Sequence, residues 1–143
     1  MTVLVDTGVI YADHDTDAAR HDVATTALEA VYDGKFGLPY VSDYIYDEAV
    51  TLTLTRGQSF APAKRLGDRL RGVNPYPAVF ELVHVSPAVF ADAVECFERY
   101  DDQALSFTDA TTVALRRRHD IDSVLSFDDD FDGIVPRIDP ASV

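Results

Sequence analysis

The sequence predicts a single α/β domain over residues 1–143, with a central, mostly parallel sheet between two layers of helices. Short apolar segments alternate along the chain with longer segments whose apolar residues recur at helical spacing. No linker, internal repeat or low-complexity tract interrupts this alternation. A chain of 143 residues is long enough for one domain with a complete hydrophobic core. Because parallel strands are joined by helical crossovers, we expect helices on both faces of the sheet.

The predicted strands are short apolar runs that end at turn residues or carboxylates. They span residues 2–5, 38–41, 80–85, 122–127 and 134–138. The first run ends directly at Asp6, and the fourth ends at the acidic stretch of residues 128–130, which we predict to be a loop. Acidic residues therefore follow two of the five predicted strands.

The predicted helices combine apolar periodicity with capping residues. They span residues 7–13, 18–32, 44–55, 58–73, 87–100 and 110–119. The second helix is preceded by residues whose side chains can act as N-caps, Asp15 to Asp17. The third is preceded by two such residues, Ser42 and Asp43. Ser86 and Pro87 begin the fifth with a cap residue and an N1 proline, and SFTD (residues 106–109) opens the last.

Composition restricts the environment more than the function. Asp and Glu total 25 against 12 Lys and Arg, so the net charge is −13, and only two residues are lysine. Such an acidic, lysine-poor surface is typical of a protein from a high-salt cytoplasm, where salt screens the repulsion between carboxylates.

The single cysteine, Cys96, excludes an internal disulfide and a zinc cluster of thiolates. We find neither a signal peptide nor an apolar stretch of roughly 18 residues, so we expect a cytoplasmic protein without membrane spans.

Asp6 raises the question of why a carboxylate ends a buried strand. It could cap the following helix, lie in a solvated loop, or bind a metal ion. The carboxyl ends of parallel strands meet at one sheet edge, where ligands bind, so acids from distant segments can converge there. The candidates are Asp6, Glu48, Asp109, Asp128 and Asp130. Oxygen ligands without cysteine or suitably spaced histidine favour Mg²⁺ or Mn²⁺ over Zn²⁺.

Each of these acids also has a plain structural interpretation. Asp109 could simply stabilise the N-terminal end of its helix. Glu48 could be a solvated helix residue, and Asp128 with Asp130 could belong to an acidic surface loop. The run Arg116 to Arg118 could form salt bridges near a helix C-terminus, or it could contact phosphate or a protein partner.

Four motifs together resemble the PIN domain family, and within it the VapC-type ribonuclease toxins of toxin–antitoxin pairs. They are VLVDTGVI (3–10), SDYIYDEA (42–49), SFTDA (106–110) and LSFDDDFDGI (125–134). Each motif is short, but their order and spacing are specific, and the resemblance covers essentially the whole chain.

The resemblance implies a metal-dependent endoribonuclease with a single PIN-like domain. Asp6, Glu48 and Asp109 would be the first three acids of its metal site, Asp128 the fourth, and Asp130 an assisting or alternative ligand. Thr7 and Thr108 would be the hydroxyl residues that accompany the acids. It further implies single-stranded or looped RNA as substrate, a small antitoxin as inhibitor, and a homodimer. A housekeeping PIN nuclease in ribosomal RNA processing and a non-catalytic PIN-like binding subunit are the alternatives.

Other acidic α/β proteins fit the sequence less well. A phosphoacceptor receiver domain needs a lysine after its last strands, and neither Lys35 nor Lys64 is there. A haloacid-dehalogenase-type phosphatase needs a second Asp two residues after the first, where this chain has Gly8. No G-x-G-x-x-G motif for a dinucleotide follows the first strand.

Overall fold

The computed structural model describes residues 1–57 and 59–143, and the strands of this part form a five-stranded, fully parallel sheet. The strands are β1 (Thr2–Val5), β2 (Leu38–Ser42), β3 (Glu81–Val83), β4 (Ser123–Leu125) and β5 (Arg137–Ile138). Their order across the sheet is β3-β2-β1-β4-β5. The predicted α/β fold with a central parallel sheet is confirmed.

Six α-helices and two short 3₁₀ turns connect the strands of the described part. The helices are α1 (Thr7–His14), α2 (His21–Tyr32), α3 (Asp43–Gly57), α4 (Phe60–Arg71), α5 (Pro87–Arg99) and α6 (Phe107–Arg118). The 3₁₀ turns are Asp129–Phe131 and Pro140–Ser142. None of the described helices has the length and apolar character needed to cross a bilayer.

The structure corrects several predicted boundaries. Helix α2 begins at His21 instead of residue 18, with Arg20 as its N-cap. Asp15, one of the predicted cap residues, instead ends α1, where its N–H donates to the Tyr11 carbonyl. The predicted loop 128–130 contains part of a 3₁₀ turn. Strands β3 and β4 are shorter than predicted, and β5 covers only the end of the predicted 134–138. Gln58, the predicted first residue of the fourth helix, lies outside the described residues.

Both faces of the sheet are covered. Val3, Leu4 and Val5 of β1 are all completely buried, although consecutive strand residues point to opposite faces. The central strand therefore has packed side chains above and below it, as the three-layer prediction requires. Helix α6 is buried from Asp109 to Leu115, and its C-terminal residues Arg117 and Arg118 are exposed.

The register of the sheet determines where the acidic segments meet. Val5 at the end of β1 pairs with Leu125 at the end of β4, and the Asp6 N–H continues this ladder by donating to the Leu125 carbonyl at 3.0 Å. The residues that follow both strands consequently emerge side by side, 120 positions apart in the sequence.

Helix α3 is held at its start by hydrogen bonds and packs closely against α4 at one point. Ser42 accepts a hydrogen bond from the Ile45 N–H at 3.0 Å, which confirms the predicted cap. Asp43 accepts from the N–H groups of Tyr44 and Val85, which ties the start of α3 to the segment after β3. Further along, Gly67 of α4 lies so close to α3 that a Cβ there would be 2.6 Å from the hydroxyl oxygen of Tyr46.

Candidate active site

Four of the predicted acids line one cleft of about 670 Å³ at the carboxyl end of the sheet. These residues are Asp6, Glu48, Asp109 and Asp128, and we call the space that they line the acidic cleft. Its other lining residues are Thr7, Gly8, Arg20, Leu52, Ala104, Ser106, Phe127 and Asp129. The structure thus brings together acids from the end of β1, from α3, from α6 and from the segment after β4.

Asp6 is the N-cap of α1, and it also lines the acidic cleft. Its Oδ1 accepts a hydrogen bond from the Thr7 N–H at 2.9 Å, and its Oδ2 accepts one from the Ser126 hydroxyl at 2.6 Å. Only 7% of the residue is exposed. The capping interpretation and the cleft position are therefore compatible, since each carboxylate oxygen retains a further lone pair for a ligand.

Burial raises the pKa of Asp6 to about 7, and the negative charges of Asp109 and Glu48 add to this rise. The hydrogen bonds from Ser126 and Thr7 act in the opposite direction because they stabilise the carboxylate. The ionised form of Asp6 is therefore costly in the protein alone, and a nearby positive charge would offset that cost.

Asp109 begins α6 through a capping box with Ser106. The Ser106 N–H donates to Asp109 Oδ2 and the Asp109 N–H donates to Ser106 Oγ, both at 3.1 Å. Burial raises the pKa of Asp109 to about 6, with further contributions from the charges of Asp128 and Glu48. Helix stabilisation therefore accounts for one carboxylate oxygen without removing the residue from the cleft.

Glu48 lies half-buried on α3 and lines the acidic cleft. Its neighbour Asp47 is exposed and accepts a hydrogen bond from the Thr51 hydroxyl at 3.3 Å. These two adjacent acids on one helix thus differ in surroundings. Of the two, Glu48 is among the described residues that line the cleft, and Asp47 is not.

The run Asp128 to Asp130 forms a compact carboxylate cluster. One oxygen from each residue lies within 4.8 Å of the others, and Asp128 Oδ1 accepts the Asp130 N–H at 2.9 Å. The negative charge of Asp128 is the main cause that raises the pKa of Asp130. Asp128 and Asp129 line the cleft, whereas the described lining does not include Asp130. Asp128 is thus the predicted fourth acid that lines the cleft, with Asp130 beside it, and Asp129, which the sequence did not single out, lines the cleft as well.

Ser126 is a site residue that sequence reasoning missed. Its hydroxyl donates to Asp6 Oδ2 at 2.6 Å and accepts the Asp128 N–H at 3.0 Å, so one buried side chain links the first and fourth acids. Its carbonyl accepts a hydrogen bond from Arg137 at 2.9 Å. The available signal was a small hydroxyl residue at the end of a predicted strand, two positions before an acidic run.

The two predicted hydroxyl residues differ in position. Thr7 lines the cleft, and its buried hydroxyl has no hydrogen-bond partner within the part of the chain that the structure describes. Thr108 is half-buried outside the described cleft lining, and its carbonyl accepts a bond from the Thr111 hydroxyl. Thr7 therefore offers a free oxygen to a ligand in the cleft.

The residues in the cleft suit a hard divalent cation. Carboxylate and hydroxyl oxygens are the ligands that Mg²⁺ and Mn²⁺ prefer. The raised pKa values of Asp6 and Asp109 and the unpartnered Thr7 hydroxyl are the expected features of an oxygen-lined site that a cation would complete.

Comparisons with known proteins agree with this fold. The model of the PIN domain family matches residues 3–135. No curated protein matches the sequence. Among solved structures, the VapC20 toxin of Mycobacterium tuberculosis, described as cleaving the sarcin-ricin loop, is 27% identical, with a TM-score of 0.77 over 90% of this chain and 92% of that one.

Two more distant structures have the same fold. A toxin–antitoxin complex from Klebsiella pneumoniae is 19% identical, with a TM-score of 0.66 over 96% of this chain and 97% of that one. VapBC2 of Rickettsia felis, bound to a DNA fragment from its promoter, is 10% identical, with a TM-score of 0.70 over 96% and 98%. The family match spans nearly the whole domain, including all the acids of the cleft, and the chain therefore belongs to the PIN domain family.

Proposed function

We propose that this chain is a metal-dependent endoribonuclease that hydrolyses RNA phosphodiester bonds, and that it is the toxin of a toxin–antitoxin pair. The observation that carries the proposal is the acidic cleft, in which carboxylates from four separate segments face one space. PIN domain membership and the likeness to a toxin described as cleaving the sarcin-ricin loop support the choice of RNA and of the toxin role.

In this proposal Asp6, Glu48, Asp109 and Asp128 hold Mg²⁺ or Mn²⁺, with Asp130 assisting. The bound ion would polarise the scissile phosphate and lower the pKa of the attacking water. Ser126 holds the Asp6 carboxylate and the backbone of Asp128 in fixed relative positions, which keeps two ligands from distant segments aligned. Burial of Asp6 and Asp109 keeps bulk water from screening their charges.

The proposed partners are single-stranded or looped RNA, a small antitoxin and a second copy of the chain, and the proposed location is the cytoplasm. The solved toxin–antitoxin complexes with this fold support the antitoxin. An exposed aromatic patch supports an association surface, since Phe90 and Phe97 lie exposed with ring centroids 5.5 and 6.0 Å from that of Phe107. Light scattering of the chain alone and with the product of a neighbouring short reading frame tests both protein partners.

The decisive experiment compares cleft and surface carboxylates during induced expression in a bacterial host. We expect the wild-type chain to arrest growth and to produce defined RNA ends that can be mapped. Asp6→Asn and Asp109→Asn remove negative charges from the cleft, so we expect both to lower Mg²⁺- or Mn²⁺-dependent cleavage by the purified protein about 1,000-fold or more. Asp92→Asn is the matched control because Asp92 lies on the surface in an ion pair with Arg118.

Full activity of either cleft variant, with circular dichroism showing an intact fold, would refute the proposed site. Cleavage without growth arrest would favour the housekeeping nuclease over the toxin. A folded wild-type chain that cleaves no RNA with either ion would favour the non-catalytic binding subunit.

A further inference from the structure

We propose that Arg20, held on the ring of Phe127, is the phosphate-binding cation of the acidic cleft and positions the RNA strand beside the carboxylates. This inference rests on the proposed function and deepens it, because it assigns a substrate contact to a residue outside the acidic set.

The position of Arg20 is defined by a cation–π contact. Its guanidinium carbon lies 4.6 Å from the centroid of the Phe127 ring, and both residues line the acidic cleft. Phe127 precedes Asp128 directly, and its Cδ2 lies 3.9 Å from where a Cβ on Gly8 would be. The ring therefore connects the start of α2 with the segments that carry Asp6 and Asp128.

Arg20 is also available for a ligand. It is exposed at the N-cap of α2, and none of the ion pairs among residues 1–57 and 59–143 includes it. A guanidinium over an aromatic ring keeps its in-plane N–H groups free, and their geometry matches two phosphate oxygens. The cation–π contact with Phe127 restricts the side chain before any ligand binds, so less entropy is lost on binding.

The charge of the surroundings gives this cation a function. The chain carries a net charge of −13, and the cleft is lined by carboxylates, so it repels an RNA backbone at long range. Among the described residues that line the cleft, Arg20 is the only one with a positively charged side chain. A strand that reaches the carboxylates therefore has one favourable direct contact for its phosphates there, beside any bound metal ion.

The test measures binding of a fluorescein-labelled 20-nucleotide single-stranded RNA by anisotropy, with Ca²⁺ replacing Mg²⁺ and the probe checked for integrity by gel. We expect Arg20→Gln to weaken binding about tenfold at low salt, and to reduce the slope of log K against log salt concentration by about 0.7, the value for one lost phosphate contact on a single strand. Arg20→Lys keeps the charge and is expected to retain the slope with weaker binding, because lysine lacks the planar fork.

Two further variants separate the stacked geometry from charge in general. Phe127→Leu removes the ring under Arg20, and we expect an affinity between those of wild type and Arg20→Gln. Lys35→Gln is the matched control, because Lys35 also lies over an aromatic ring, 5.6 Å from the Phe36 centroid, but precedes β2 and so lies at the amino end of the parallel strands, opposite the cleft. We expect this control to bind RNA with the wild-type affinity and salt slope.

For RNA that the wild-type enzyme cleaves, Arg20→Gln is expected to raise KM with kcat within about twofold, because a positioning contact is lost while the acids stay. Wild-type binding and slope in Arg20→Gln, or equal losses in Lys35→Gln, would overturn the Arg20 proposal alone. Binding that depends on Arg20 in a chain that cleaves no RNA would overturn the nuclease function alone.

Discussion

The aspartates of the cleft and those of the surface have the same side chain, but their pKa values shift in opposite directions. In the cleft, burial raises the pKa of Asp6 to about 7 and that of Asp109 to about 6, and neighbouring carboxylates add to both shifts. On the surface, hydrogen bonds from Arg118 and Arg137 lower the pKa values of Asp92 and Asp132. The difference lies in the partners, since Asp92 and Asp132 each have an arginine nitrogen at 2.7 Å, whereas the cleft acids face one another.

This contrast separates two uses of negative charge in one chain. The surface acids are exposed, so solvent and salt screen them and each contributes little to stability. The cleft acids are held together by the fold at an electrostatic cost, and a divalent cation that binds there would remove that cost. The repulsion between the cleft carboxylates thus lowers the stability of the protein at the place where a ligand is expected, as is common at functional sites.

After the Asp6 and Asp109 variants described above, the largest effect is expected for a matched pair of substitutions on one helix. Glu48→Gln removes a cleft carboxylate charge, and we expect RNA cleavage to fall by about 100-fold or more. Asp47→Asn changes the neighbouring exposed acid, and we expect a change within about twofold. Initial cleavage rates at saturating Mg²⁺ measure both, and comparable losses in the two variants would remove the distinction between cleft and surface.

An intermediate effect is expected on stability without metal. Folded Asp6 keeps its proton up to pH of about 7, while the unfolded chain loses it near the ordinary value of 3.8, so the folded state binds more protons between these values. The free energy of unfolding therefore decreases as pH rises through this window, by up to about 4 kcal/mol from this residue. Asp6→Asn imitates the protonated acid and lacks the decrease.

Urea unfolding in EDTA at pH 5 and pH 8 measures that difference. We expect Asp6→Asn to gain stability relative to wild type between the two pH values, and addition of Mg²⁺ at pH 8 to stabilise the wild type more than the variant. A stability difference that stays constant with pH would show that burial of Asp6 carries no such cost.

The smallest effect is expected from monovalent salt. Molar KCl screens the exposed acids, so we expect the melting temperature to rise by roughly 5 °C between 0.1 and 2 M KCl, to the same extent in wild type and Asp6→Asn. Differential scanning calorimetry in metal-free buffer measures both. Equal melting temperatures at low and high salt would contradict the inference of a high-salt habitat.

Much of the architecture could be predicted from local pattern. Apolar periodicity located all the strands and α-helices of the described part, and capping residues located several helix starts, such as Ser42 and Ser86. The prediction was wrong at the start of α2, where Asp15 to Asp17 have cap-forming side chains but Asp15 ends α1. Capping chemistry alone does not distinguish the end of one helix from the beginning of the next.

The candidate site was predictable only in part. The rule that ligands bind at the carboxyl ends of parallel strands selected the candidates Asp6, Glu48, Asp109, Asp128 and Asp130, and the resemblance to the family gave them their order as first to fourth acids. The sequence predicted Asp128 as the fourth acid and kept Asp130 as the alternative, because acids two positions apart in one run differ in surroundings only once the turn that carries them is folded. In the structure Asp128 lines the cleft and Asp130 is not among its described lining residues, while the role of either residue as a ligand stays a prediction.

By itself, then, the sequence determined the alternation of strands and helices and the composition of the acidic segments, because these depend on residues a few positions apart. Only the tertiary structure decided that the Ser126 hydroxyl binds Asp6 across 120 residues, and that Arg20 lies on Phe127 at the rim of the carboxylates. Such contacts arise from the register of parallel strands and the packing of their crossovers. No local pattern contains that information, since it depends on which segments the folded core brings together.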